Sequence, residues 1–338
     1  MLGASGSSAR RPSRLLARVS QFGVLAALLL LTLFGALRYT GFLSEYNFST
    51  FLRYNSMFGL ISLGMCFVIM TGGIDLSVGS VVALGSVVAA LLSPHGALLA
   101  VLGALAAGAL VGLLNGLIIT RLNIQPFITT LATLLGARGL ALLLANNQGG
   151  VGIDPGNAAL AWLGQGNLFG TQWLPVPGVL MLLAFIVGGV ALRSSAFGRH
   201  ALAIGGGEDA SKLMGLNVTR IKLGVYVLSG ALAGLAGMIL AAQLGAGQPT
   251  EGLGWELSAI ASVVVGGTLL TGGTGSVWSS LVGALLLGLI FNILNFENGK
   301  GIISLSPYWQ SVIRGAFLLL VVVLQSRLSR RSEGEEGR

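Results

Sequence analysis

Between positions 46 and 153 the chain has a single acidic residue, Asp75. It lies in Thr71-Gly72-Gly73-Ile74-Asp75-Leu76-Ser77-Val78-Gly79-Ser80, a polar interruption of an otherwise apolar stretch. A carboxylate near a bilayer is a functional candidate by default. It can cap a helix starting at Leu76 or Ser77 by accepting from exposed N–H groups, line a substrate path, or pair with an arginine. Ser77, Ser80 and Ser86 follow at helix-compatible spacing, which permits either a hydroxyl-lined face or close helix packing by small residues. Nucleophilic and hydrolytic chemistry find no comparable set. His95 and His200 are far apart, neither has a Ser or Cys partner in a motif, and there is no G-x-S-x-G. The one cysteine, Cys66, sits in an apolar run, so disulfides and thiolate metal sites are excluded and no metal centre is expected. Without G-x-x-x-x-G-K-[ST] the chain has no P-loop. Any ATP-driven function would therefore need a partner subunit.

The elements that hold Asp75 follow from composition. Only 9% of the 338 residues are charged, 54% are hydrophobic, and there are 53 glycines. Soluble domains carry about 25% charged residues and roughly 7% glycine. With a mean hydropathy of +0.87, the expected class is an all-α polytopic membrane protein. Spans are expected near 21–38, 51–71, 79–92, 97–119, 127–145, 178–192, 223–242, 257–271, 276–296 and 311–326, the third, sixth and eighth being short. The charges favour an even count of ten. With the N-terminus inside, fourteen of the 19 basic residues fall on the inner side, among them Arg121, Arg193, Arg199, Arg220 and the C-terminal arginines. That bias accounts for the net charge of +8 without a nucleic-acid partner. Both termini are then cytoplasmic. Residues 1–20 form a basic lead segment, 21–326 the membrane domain and 327–338 a charged tail, while 146–177, 243–256 and 297–310 face outside.

Further polar residues deserve a role. Gly266-Gly267-Thr268-Leu269-Leu270-Thr271-Gly272-Gly273-Thr274-Gly275-Ser276 is a second interruption that shares the double glycine and Gly-Ser of the first. Irregular backbone at membrane depth survives only against protein or a watery cavity, and interrupted spans in the two halves of a transporter point to its path. Asp75, Ser77, Ser80, Thr268 and Thr271 in these interruptions, with Asn55 and Asn115 in neighbouring spans, are the candidate path residues, while a buried amide such as Asn115 reads first as interhelical glue. Arg138, between Gly136 and Gly139, and Glu256, opening the eighth span, read as structural charges. The inner loop 193–222 contains Gly205-Gly206-Gly207-Glu208-Asp209-Ala210-Ser211-Lys212-Leu213-Met214-Gly215-Leu216-Asn217. Glu208–Leu216 reads as a short amphipathic helix with acidic residues at its start and Gly215 and Asn217 at its end. Its apolar patch of Leu213, Met214 and Leu216 asks for a protein partner or a lipid surface.

Gly72 to Ser80, Pro126-Phe127-Ile128, Ala137-Arg138-Gly139, the Gly205–Asn217 loop and Glu256 to Gly267, in this order, resemble the permease subunits of bacterial carbohydrate ABC importers of the ribose/xylose/galactose group. Asn292, Asn295-Phe296 and Tyr308-Trp309 look most like the galactofuranose importers of that group. The resemblance implies a type II ABC importer-like bundle of about ten helices in the bacterial inner membrane. It also implies a second permease chain, identical or paralogous, a periplasmic sugar-binding protein, and a cytoplasmic ATPase. That ATPase would dock on Gly205, Gly206, Glu208, Asp209, Ala210, Leu213, Gly215 and Asn217. An ion-gradient-driven secondary transporter is the rival, but it wants more buried carboxylates or histidines than this chain offers. A membrane-embedded transferase would want several catalytic groups on one face.

Overall fold

A computed structural model describes residues 14–299 and, beyond them, only Trp309, Val312, Gly315, Ala316 and Leu319. The expected last span at 311–326 and the tail at 327–338 thus lie almost wholly outside the described residues, as does most of the lead segment. The described chain is helical: α1 (Arg14–Arg38), α2 (Glu45–Met70), α3 (Val78–Leu92), α4 (Ala97–Arg121), α5 (Pro126–Leu144), α6 (Ala158–Gln165), α7 (Val176–Ser194), α8 (Ala196–Gly206), α9 (Glu208–Leu213), α10 (Val218–Leu244), α11 (Trp255–Val265) and α12 (Val277–Gly299). The only strands among these residues are β1 (Val151–Gly152) and β2 (Ala246–Gly247), which pair antiparallel.

Among the described residues seven helices are long and apolar enough to cross a membrane: α2, α3 with its 3₁₀ extension to His95, α4, α5, α7, α10 and α12. Two expected lengths change. The sixth span is not short, since α7 runs for 19 residues from Val176, its start set by Pro175 and Pro177. The eighth is shorter than 257–271, because α11 stops after 11 residues where Gly266-Gly267 leaves the helix. The loops differ too. Residues 146–177 carry α6, and the inner loop carries two helices, α8 and α9.

In lipid the hydrophobic effect does not drive helices together, so small residues that let backbones touch decide the packing. The α4–α10 pair shows this directly. Ala104, Gly108, Gly112 and Gly116 recur every fourth residue and so share one face of α4. Along α10 they meet Gly234, Gly230, Tyr226 and Leu223 in turn, backbone against backbone. The register runs antiparallel, placing Arg121 at the end where α10 begins, together with Arg193, Arg199 and Arg220. A basic end and a far end are thereby defined. α2 threads the middle, buried along most of its length, between α10, α7, α11 and α12. At the far end Asn157 donates to Ser93 O (2.8 Å) and Gln165 to Gln243 O (2.9 Å), seating the 146–177 segment on the ends of α3 and α10.

A methyl group on Gly230 would strike the Gly108 carbonyl, whereas Gly136 on α5 has nothing within 4 Å of such a group. Gly230→Ala should therefore lower the unfolding midpoint in detergent, by an overpacking cost of about 1–3 kcal/mol. Gly136→Ala should hold or raise it, by up to about 1 kcal/mol of helix propensity. Equal midpoints for the two variants would remove the α4–α10 seam from the account of stability.

Candidate functional site

Asp75 is 1% exposed and sits in the break between α2 and α3, bonded entirely by hydroxyls and backbone. Its Oδ1 accepts from the Ser77 N–H (3.0 Å) and the Ser77 hydroxyl (2.6 Å), and its Oδ2 accepts from the Ser229 hydroxyl of α10 (2.9 Å). The network continues outward. Asn115 of α4 donates to Ser77 Oγ (3.0 Å), and Thr133 of α5 donates to Asn115 Oδ1 (2.7 Å). One carboxylate thus ties the start of α3 to three other helices. The bond to Ser77 N–H is the local, cap-like part, and no arginine is among the partners. Tyr226, one turn before Ser229, brings its hydroxyl against Gly73, where it is buried without a hydrogen-bond partner. The tie to Ser229 could not be read from the sequence, because 154 residues separate the two partners.

The other candidate path residues are distributed. Ser80 is buried on the first turn of α3. Asn55 is buried on α2, donating to the Phe51 carbonyl (2.8 Å). Thr268 is buried beyond the end of α11, beside Cys66, while Thr271 is exposed. What the structure does bring together is the two glycine interruptions. The Gly273 N–H donates to Met70 O at the end of α2 (3.0 Å). A methyl group on Gly272 would lie 2.7 Å from the Gly72 nitrogen. Gly205, near the end of α8, is wedged against both the Met70 carbonyl and the Gly273 nitrogen. Three segments remote in sequence therefore join at the basic end through backbone alone.

From that junction the chain turns into α9. The helix is shorter than Glu208–Leu216: it ends at Leu213, because Gly215 takes a left-handed φ of 80° and Asn217 instead caps α10, accepting from the Arg220 N–H (2.9 Å). Glu208 pairs with Lys222 of α10 and with Lys212 (2.9 Å), which also reaches Asp209 (3.4 Å). Burial pushes the Glu208 carboxyl up, but the two ammonium groups outweigh it and hold it below the usual Glu range. Ser211 is buried beneath the helix; Asp209 and Ala210 are exposed. Leu213 is 90% exposed and Met214 70%. Two large apolar side chains thus stand clear on an anchored helix, the arrangement of a docking surface.

Arg138 lies at the far side of α5 from its Pro126 start, and its Nη1 donates to the carbonyls of Pro249 (2.6 Å) and Glu251 (2.5 Å). Glu256, in the first turn of α11, faces the same guanidinium. Among the described residues no three His, Cys, Asp or Glu side chains are grouped to hold a metal ion.

The described chain is thus a multi-pass helical bundle with a buried carboxylate at a helix break and, at its basic end, a short anchored helix that ends in exposed Leu213 and Met214. Residues 47–322 match the family model described as branched-chain amino acid transport system / permease component, and the chain belongs to that family. It is 39% identical over 313 residues to the ribose import permease protein RbsC of Bacillus subtilis, covering 92% of this chain and 94% of that one. The RbsC of Escherichia coli K12 is 37% identical over 312 residues, with 91% and 94% covered. The L-arabinose transport system permease protein AraH of Escherichia coli K12 is 36% identical over 322 residues, with 94% of each covered. The chain is thus a transport-system permease component with several helices apolar enough to cross a membrane, and it is similar over most of its length to ribose and arabinose permeases. These relatives do not support the galactofuranose likeness of Asn292, Asn295-Phe296 and Tyr308-Trp309, a stretch that falls partly outside the described residues.

Asp75→Ala removes the acceptors of three buried bonds, and a buried group left unsatisfied costs about 1–3 kcal/mol. It should lower the unfolding midpoint well beyond Asp75→Asn, which keeps an acceptor oxygen; equal small shifts would show that the network carries no stability. Because the Glu208 carboxyl is held below its ordinary range, its tie to Lys222 is fully present above the ordinary Glu pKa and is lost as pH falls through the lowered value. Hydrogen exchange of 208–222, corrected for its intrinsic pH dependence, should thus stay slow at neutral and mildly acid pH and quicken only below the usual carboxylate range. In Glu208→Gln it should be fast throughout.

Proposed function

We propose that this chain is the membrane-spanning subunit of an ATP-driven importer that carries a pentose of the ribose or arabinose kind into the cell by alternating access. It crosses the inner membrane ten times with both termini in the cytoplasm, and it works with a second permease chain and a periplasmic sugar-binding protein. ATP and Mg belong to a cytoplasmic ATPase that docks on α9. The observation that carries this reading is the pair Leu213 and Met214, exposed on a helix fixed by Lys222 at the basic end. A lipid-resting helix would have no need of that anchor. Basic residues at the same end fit the cytoplasmic side. The names of the relatives support the sugar class, and the chain's few membrane carboxylates argue against coupling to an ion gradient.

Detergent-solubilised chain should bring an ATPase subunit with it, and uptake of ribose or L-arabinose should stop on ATP depletion but survive an uncoupler; galactofuranose belongs in the same panel. The reverse energy dependence would make the chain a secondary transporter. Gly215→Leu, or Glu208→Lys with Asp209→Lys, should reduce sugar-stimulated ATP hydrolysis at least tenfold while membrane insertion is unchanged. Full transport in these variants would take α9 out of the mechanism.

A further inference from the structure

The segment after α10 does not stay at the membrane surface as an external loop would. Beyond Gly245 it runs along α3. Gly247 packs on Ser86 and Val87, and the Gln248 N–H donates to Ser86 Oγ (3.0 Å). Gly252 then lies against Gly79, the two backbones so close that a methyl group on either would collide with the other. Gly79 to Leu92 is about 20 Å of helix at ~1.5 Å per residue. Gly252 therefore lies about 20 Å along α3 from its Leu92 end, well within the length of a helix that can cross a hydrocarbon core of about 30 Å.

The backbone at this depth is not helical: Gly252 and Gly254 have φ of 78° and 75°, and α11 starts only at Trp255. Such backbone is stable inside a membrane only where protein covers it or water reaches it. One side of the segment is covered by α3. The other is held by Arg138, whose guanidinium takes the two carbonyls of Pro249 and Glu251 and whose Nε is buried with no partner. Thr250 and Glu251 themselves are exposed, and their side chains make no hydrogen bond among the described residues. A carboxylate at that depth does not face lipid, so the surface it faces is a watery path or one shared with the second permease chain.

We propose that Thr250 and Glu251 line the translocation path and hydrogen-bond the hydroxyls of the passing sugar, with Arg138 as the positioning residue that holds their backbone in place. This deepens, and rests on, the reading of the chain as a sugar permease. The chemistry suits a neutral polyol. A carboxylate accepts from two vicinal hydroxyls, and a threonine hydroxyl both donates and accepts. The Glu251 carboxylate also feels the Arg138 charge, but Arg138 takes the backbone carbonyls and leaves the oxygens of both side chains without a hydrogen bond among the described residues.

The test uses single cysteines in the full importer, assembled with its ATPase and binding protein. Cys66 is the only native cysteine and is fully buried, so it is silent to a charged, membrane-impermeant thiol reagent. Thr250→Cys and Glu251→Cys should react at least tenfold faster than Leu110→Cys, which is exposed on the apolar α4. Ribose or L-arabinose should slow the reaction severalfold, and Arg138→Ala should abolish that protection, with Arg138→Lys restoring part of it. Reaction no faster than at Leu110→Cys would overturn the assignment of the path, whatever the importer carries. Fast labelling without sugar protection, in an assembly that does import ribose or arabinose, would overturn the contact with sugar. If the assembly imports neither pentose, the proposed function is what fails, because labelling speed alone still reports on the path.

Discussion

Every peptide group inside a bilayer must find a partner within the protein, and this single constraint shapes the parts of the bundle that matter most. Helices satisfy it by themselves; the three non-helical stretches at 71–77, 245–254 and 266–276 cannot. Each solves it by borrowing. The first closes on itself through Gly73 N–H to Val68 O (3.1 Å) and lends Met70 O to Gly273 of the third. The second takes a serine hydroxyl from α3 and a guanidinium from α5. Asp75 belongs to the same economy, since it satisfies the Ser77 N–H at the start of α3 while reaching across to α10.

The glycines are what make such borrowing possible. A side chain at Gly205 would push α8 off Met70 and Gly273, and one at Gly79 would push the descending segment off α3. In the α4–α10 seam the same residue type serves another end, bringing two long helices together where burial of apolar surface offers no net drive. The abundance of glycine is therefore two populations. One packs regular helices; the other lets irregular chain come within hydrogen-bonding distance of a neighbour.

Much of this was legible in the sequence because it is written locally. Apolar run length located α4, α5 and α12 within three residues and α2 and α10 within six, and the double glycines marked both interruptions. The acidic start and apolar patch of the inner loop marked α9. What stayed hidden was set by partners distant in the chain. No local signal says that Ser229 would complete the Asp75 carboxylate, or that Gly205 would land on Gly273. The stretch 243–256 reads as an external loop because it is polar, yet polarity cannot distinguish backbone in water from backbone folded against α3. Arg138 carried the clue. An arginine inside a span must have its charge met, and here carbonyls from that very stretch meet it.

The junction at the basic end links the two regions that function would require to communicate. α9 follows α8 after one residue, Gly207, and α8 bears through Gly205 on both Met70 and Gly273. Those contacts are backbone to backbone, so they have no rotamers to absorb a displacement. A push on Leu213 or Met214 would be delivered to the end of α2 and to the loop between α11 and α12, rather than dissipated in side chains. α3 starts just past the first of these points, and Gly252 lies against α3 at Gly79. A shift of α3 relative to α5 would therefore move Glu251 against the guanidinium that holds it. Close packing of glycine at both places makes the route short, and it makes a rigid-body rearrangement easier than a local one.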